Sequence, residues 1–178
     1  MNRYVAFLRA VNVGGRNAKM DHLRSVFEAL SFSNVETFIA SGNVIFETPS
    51  TDESSLEKKI SRQLEKSLGY DVEVFIRSDV DLAQIAAYQP FKTADVAAAR
   101  TLNVAFVKEP LNPGALAVLI SLKTDVDDFH ANGREVYWLS RVKQSESSFS
   151  NAVFERLLKV RATFRGVNTV AKIAAKWC

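Results

Sequence analysis

Tyr4-Val5-Ala6-Phe7-Leu8-Arg9 near the start of the chain returns almost position for position as Asn103-Val104-Ala105-Phe106-Val107-Lys108. Both are mostly apolar with weak alternation, the pattern of a strand buried on both faces or central in a sheet. After the first run comes a glycine-containing loop, and then Met20, Leu23, Phe27 and Leu30 at helical spacing. Residues 35–39 and 43–46 are β-branched and aromatic, and Ser41-Gly42 between them predicts a hairpin. Ser54 and Glu57 form a capping-box pattern ahead of Leu56, Ile60, Leu64 and Leu68, with Gly69 as the stop. Residues 72–76 then alternate as a fourth strand. The order β-α-β-β-α-β is that of a ferredoxin-like unit.

The second run is followed by the same order. Asn112-Pro113 opens a helix carrying Leu116, Leu119 and Ile120, with proline where its missing N–H does no harm. Residues 128–131 and 135–139 flank Asn132-Gly133, a strong hairpin signal. Val153, Phe154, Leu157 and Leu158 mark a helix, and residues 162–165 a short strand. One extra helix follows, with Val170, Ile173, Ala174 and Trp177 on one face. The expected fold is α+β: two tandem ferredoxin-like (βαββαβ) units with antiparallel sheets, plus a C-terminal helix. The units are expected at 1–78 and 102–178, joined by a connector at 79–101 that holds a short helix broken at Pro90. Apolar strands match one another easily by chance, but duplication explains the chain better than one larger domain.

Composition narrows the function classes. Of 178 residues, 47% are apolar and 24% charged, a globular mixture rather than a disordered one. No apolar run is long enough to span a membrane, and the N-terminus has no signal-peptide pattern, so a cytoplasmic protein is expected. The single cysteine, Cys178, has no partner for an internal disulfide. His22 and His130 lack metal-ligand spacing, so neither a metal site nor a cofactor is expected. A net charge of +3 permits an acidic partner without demanding one, because nucleic-acid modules usually add a basic stripe or tail.

Local chemistry concentrates in Val11-Asn12-Val13-Gly14-Gly15-Arg16-Asn17-Ala18-Lys19-Met20. A strand, paired glycines, two cations and a helix start in succession can present backbone N–H groups to an anion. Gly14 and Gly15 permit positive φ and close approach, and Arg16 and Lys19 can pair with phosphate or carboxylate. In the alternative reading the glycines only turn the chain and the cations are solvated. The spacing is neither a P-loop nor a dinucleotide fingerprint. Ser41 and Asn43 read as turn residues, and that turn is expected at the opposite end of the sheet from the glycine loop. Arg9, Arg134, Lys143, Arg161, Arg165 and Lys172 read singly as surface cations. Phe7, Phe46, Phe75 and Phe106 lie in strands where RNA-binding sheets place stacking rings, but the ribonucleoprotein consensus is absent, so they read as core. Asp21-His22 beside the loop does not make a recognisable catalytic pair.

The same segments resemble a bacterial family, domain of unknown function 1697. Residues 4–15 are similar to its opening strand and loop, Met20 and Leu23 to its first helix, and residues 39–46 to its hairpin. Gly133-Arg134-Glu135-Val136-Tyr137 resembles a strand of its second half, and Asn168-Thr169-Val170-Ala171-Lys172 its closing helix. The resemblance implies a pair of ferredoxin-like units. It also marks departures. Glu146-Ser147-Ser148-Phe149-Ser150-Asn151 replaces a basic residue, serine and lysine, and Gly166 stands where asparagine usually follows the arginine.

The expected function is binding of an anionic ligand, a nucleotide or nucleic-acid phosphate, by Asn12, Gly14, Gly15, Arg16, Asn17 and Lys19. The alternatives are an enzyme acting on a small phosphorylated or carboxylated metabolite, and a protein–protein interaction module. A monomer or weak homodimer fits either the leading reading or its rivals.

Overall fold

A computed structural model describes residues 1–178. The first sheet contains β1 (Asn2–Leu8), β2 (Ser33–Thr37), β3 (Asn43–Thr48) and β4 (Val74–Ser78). Its strand order is β2-β3-β1-β4, with every neighbouring pair antiparallel. Helices α1 (Met20–Glu28) and α2 (Glu53–Leu68) link the strands, and α3 (Asp79–Ala87) follows β4. After α4 (Thr93–Ala98), the second sheet contains β5 (Thr101–Phe106), β6 (Asp127–Asn132), β7 (Glu135–Ser140) and β8 (Thr163–Gly166). Its order, β6-β7-β5-β8, repeats that of the first. Helices α5 (Pro113–Ser121) and α6 (Asn151–Leu158) correspond to α1 and α2, and α7 (Val167–Trp177) closes the chain.

Both halves are ferredoxin-like, and the repeat extends further than the sequence implies. A helix follows the fourth strand in each: α3 directly after β4, and α7 directly after β8. The chain divides into two compact units, Met1–Gln84 with Ile173–Cys178, and Ile85–Lys172.

Burial explains why the two apolar runs lack alternation. Val5, Ala6, Phe7 and Leu8 are all buried, as are Val104, Ala105 and Phe106. Tyr4, Ala6 and Leu8 face the cluster that α1 and α2 build with Leu23, Phe27, Ile60 and Leu64. In that cluster the Phe46 ring lies 4.6 Å from Phe32 and 5.4 Å from Phe27. Phe149 plays the same part in the second unit, 4.6 Å from Phe129 and 4.9 Å from Trp138. Full burial of each such ring contributes about 1.5–3 kcal/mol.

Register exposes a matched pair that the sequence hides. Arg77 lies opposite Val5, and Arg165 opposite Val104, equivalent positions in the two units. Both side chains are buried, and each guanidinium donates to the carbonyl of the residue before it, Ile76 at 2.7 Å and Phe164 at 2.8 Å. Burial lowers the pKa of Arg165 to about 10. Arg165 is therefore not a surface cation, contrary to expectation.

Three local expectations are corrected. Asp52, not Ser54, caps α2, its carboxylate accepting from the Ser55 amide at 3.0 Å. A carboxylate there also complements the helix dipole. Glu57 makes no capping box; it is buried and accepts from the Ile76 amide at 2.9 Å, tying α2 to β4. In the second hairpin Asn132 pairs with Glu135, so the loop residues are Gly133 and Arg134, with Gly133 at φ +58°. No helix is long and apolar enough to cross a membrane.

Candidate functional site

The glycine loop and the first hairpin turn lie at the same end of the sheet. β1 and β2 are each antiparallel to the β3 between them, so they run in the same direction and end together. The expectation of opposite ends is overturned by this strand direction. The Leu8 amide donates to the Gly42 carbonyl at 2.8 Å. Asn12 completes the junction: its Nδ2 donates to the Ala40 carbonyl at 2.5 Å, and its Oδ1 accepts from the Ala18 amide at 2.7 Å. Both polar ends of Asn12 are thus engaged in holding the loop in place.

The glycine pair has a specific local task. Gly14 and Gly15 have φ of +60° and +84°, and the Arg16 amide donates back to the Val13 carbonyl at 3.1 Å. This is a tight turn with both central residues left-handed, which glycine adopts at little cost. No heavy atom lies within 4 Å of a Cβ placed on either residue, so conformation rather than crowding selects glycine there. The turn delivers Arg16 onto Tyr70, with the guanidinium carbon 4.3 Å from the ring centroid. Tyr70 is fixed in turn by its hydroxyl, which donates to the Val11 carbonyl at 3.2 Å. Cation–π stacking engages the guanidinium of the exposed Arg16 through its face, a contact that uses none of its N–H donors.

Lys19 occupies the N-cap of α1, where no side chain accepts from the first-turn amides. Those N–H groups lack intrahelical partners and carry the positive end of the helix dipole. Asn12, Gly15, Arg16, Asn17, Ala18, Lys19, Met20 and Ala40 line an open cleft of about 520 Å³. Asp21, on the first turn of α1, is directed to solvent beside Arg24, 3.8 Å away.

Of the predicted residues, Gly15, Arg16, Asn17 and Lys19 meet in the cleft, Asn12 supports it, and Gly14 shapes the turn leading into it. Tyr70 was not legible as part of the site, because it lies after α2 and only the tertiary fold brings it beneath Arg16. Ser41 and Asn43 form the turn expected of them: the buried Asn43 amide donates to the Phe38 carbonyl at 2.8 Å and to Ser41 Oγ at 2.9 Å. His22 Nε2 lies 2.8 Å from Ser67 Oγ. The groups whose pKa is displaced, among them Tyr4, Glu36, Glu47 and Asp52, lie outside the cleft. No group of three or more His, Cys, Asp or Glu side chains is arranged to hold a metal ion.

The strand aromatics and the departures at 146–166 fall elsewhere. Phe7, Phe46, Phe75 and Phe106 are each 0% exposed, which removes them as stacking platforms for bases. Glu146 accepts from the Lys143 amide, Ser147 donates to Asp127, and Ser150 caps α6, so the segment has structural employment in the second unit. Ser148 follows the short 3-10 turn (Gln144–Glu146), and Gly166 ends β8.

Comparison with known proteins places this architecture. A conserved bacterial protein of Streptococcus pneumoniae superimposes with a TM-score of 0.74 over 98% of this chain and 97% of its own, at 21% identity. That likeness is one of fold. No curated protein matches the chain. The family model described as a protein of unknown function, DUF1697, matches residues 1–137, and the chain belongs to that family.

Proposed function

We propose that the cleft beside α1 binds the phosphate of a nucleotide or of single-stranded nucleic acid, and that its action is recognition rather than turnover. The observation that carries this reading is Arg16, stacked on Tyr70 and held in no ion pair, beside Lys19 and the uncapped start of α1. A guanidinium pre-positioned by an aromatic ring gives up less freedom when it meets a phosphate, and the first-turn amides add donors along the dipole. The burial of the strand aromatics argues against binding across a sheet face, so contact at this loop is expected through backbone phosphate rather than stacked bases.

The test is a titration of a labelled single-stranded oligonucleotide, followed by fluorescence anisotropy at several salt concentrations. Binding is expected to weaken linearly in log–log form, by about 0.7 in slope for each phosphate contact. Arg16→Ala with Lys19→Ala then lowers the slope by about 1.4, two contacts' worth. A double variant that binds with unchanged slope and affinity, or a wild-type protein that binds neither the oligonucleotide nor a free nucleotide at low salt, overturns the reading.

A further inference from the structure

The second unit contains a cavity of another chemical character. It measures about 410 Å³ and lies among α3, α4, β5, β7 and the start of α7. Its walls include the rings of Tyr88, Phe91, Tyr137 and Pro90, with Leu102 and Val167 among the aliphatic side chains. Its polar groups, Gln89, Thr93 and Asn168, are all neutral, and no charged side chain lines it. A volume within the range of about 300–1,000 Å³, an apolar lining and a few convergent polar groups are the usual attributes of a small-molecule site.

One wall is fixed in advance. Tyr88 is 38% exposed, yet its hydroxyl lies 2.8 Å from His130 Nε2 and its ring is 5.4 Å from Tyr137 and 5.8 Å from His130. Tyr137 is itself anchored, its buried hydroxyl donating to the Ile85 carbonyl at 3.2 Å. An exposed tyrosine held on two sides offers a stacking surface with little left to order on binding. The absence of lining charge selects against ions, which would shed hydration here without compensation. The carboxamides of Gln89 and Asn168 each offer a donor and an acceptor at the cavity wall.

From this we infer that the cavity is a binding site for an uncharged, planar ring compound, a heteroaromatic molecule stacked against Tyr88 with its polar edge toward Asn168 or Gln89. It is separate from the phosphate cleft, all of whose lining residues belong to the first unit.

The experiment is ligand-observed saturation-transfer NMR on the full chain, with adenosine as the neutral heterocycle and benzoate as a charged aromatic ring. Adenosine is expected to bind saturably and at least tenfold more tightly than benzoate. Tyr88→Ala weakens adenosine at least tenfold, whereas Tyr88→Phe, which keeps the ring and loses the hydroxyl, stays within about threefold of wild type. Ala171 is exposed on α7 and lines the cavity, so Ala171→Trp fills the site without disturbing the core and abolishes binding. The Arg16/Lys19 double variant binds adenosine as wild type does, separating this site from the cleft. No saturable binding of adenosine, equal binding of benzoate, or wild-type affinity in both Tyr88→Ala and Ala171→Trp overturns the inference.

Discussion

Gly42→Ala tests how the hairpin turn is held against the loop that follows β1. Gly42 has φ +79°, and a Cβ there would lie 2.6 Å from Val11 Cγ2 and 3.1 Å from Leu8 Cβ. Val11 and Leu8 are each 1% exposed, so neither can swing aside into solvent. The left-handed backbone alone costs an alanine about 1–2 kcal/mol. Forcing a methyl group into close-packed surroundings adds about 1–3 kcal/mol. The expected loss is therefore about 2–5 kcal/mol, a large part of the roughly 5–15 kcal/mol that stabilises a domain. Gly14→Ala is the matched control: its φ is +60°, and nothing lies within 4 Å of the added carbon. That variant pays only the conformational cost of about 1–2 kcal/mol. Urea unfolding followed by circular dichroism gives both midpoints. With a slope of about 2 kcal/mol/M, Gly42→Ala moves its midpoint by roughly 1–2.5 M, and Gly14→Ala by less than about 1 M. Equal shifts in the two variants would refute the steric argument and, with it, the close apposition of turn and loop.

Other consequences are accessible to routine measurement. The Trp177 indole, by donating to Glu36 at 3.0 Å, is the main cause that lowers the Glu36 pKa, and Arg3 does the same for Glu47. A depressed carboxylate stabilises the fold above its unfolded pKa, about 4.3, and that contribution is lost as pH falls through the lower folded value. Stability should thus decline below about pH 4–5, and Glu36→Gln with Glu47→Gln should flatten the decline; an unchanged acid profile in urea midpoints would refute this. Trp177→Ala removes a nearly buried ring 5.6 Å from Phe38 and should cost about 3–5 kcal/mol by urea unfolding, whereas a loss below about 1 kcal/mol would mean the chain end is not docked. Lys159 ends α6 at φ +59°, so Lys159→Gly should raise the melting temperature slightly, by the equivalent of about 0.5–1 kcal/mol.

The strands that carry the fold were legible because their burial is nearly complete. A run such as Val5-Ala6-Phe7-Leu8 has no solvent face to encode, and its return at Val104-Ala105-Phe106 marked the duplication. The Asn112 cap and the Gly69 stop were legible because each is a local signal answered by a local bond, from the Ala115 amide to Asn112 and from the Gly69 amide to Glu65. Competition between neighbouring caps was not: Asp52 displaced Ser54 because the helix starts two residues earlier, where a carboxylate accepts from the Ser55 amide and also complements the dipole. Arg165 misled for a different reason. A lone arginine in a short strand gives no sign of which sheet face it occupies, and only register matched it with Arg77. At the cleft, Gly14, Gly15 and Arg16 were readable as neighbours in sequence. Tyr70 and Ala40 come from other segments, and strand direction was the information needed to bring them in.

The duplication supplies an internal argument about which features the fold requires. Both units bury their central strand, place an arginine at the same register of the fourth strand and append a helix after it. The connection from first strand to first helix differs. Residues 107–112 complete it in the second unit, whereas residues 9–19 are used in the first. A ferredoxin-like unit therefore closes without the added length. The extra residues contain the left-handed glycine turn, Arg16 and Lys19, and they recruit Tyr70 and Ala40 to fix that turn in one position. A segment dispensable for topology would ordinarily lie loosely on the surface, since ordering each residue costs about 1–2 kcal/mol. Here the segment is held by four side-chain contacts, from Asn12 to Ala40 and Ala18, from Arg16 to Tyr70, and from Tyr70 to Val11, yet Arg16 and Lys19 engage no carboxylate. An ordered, cationic insertion that the sister unit closes without supports the proposed anion binding at this cleft over a purely topological role.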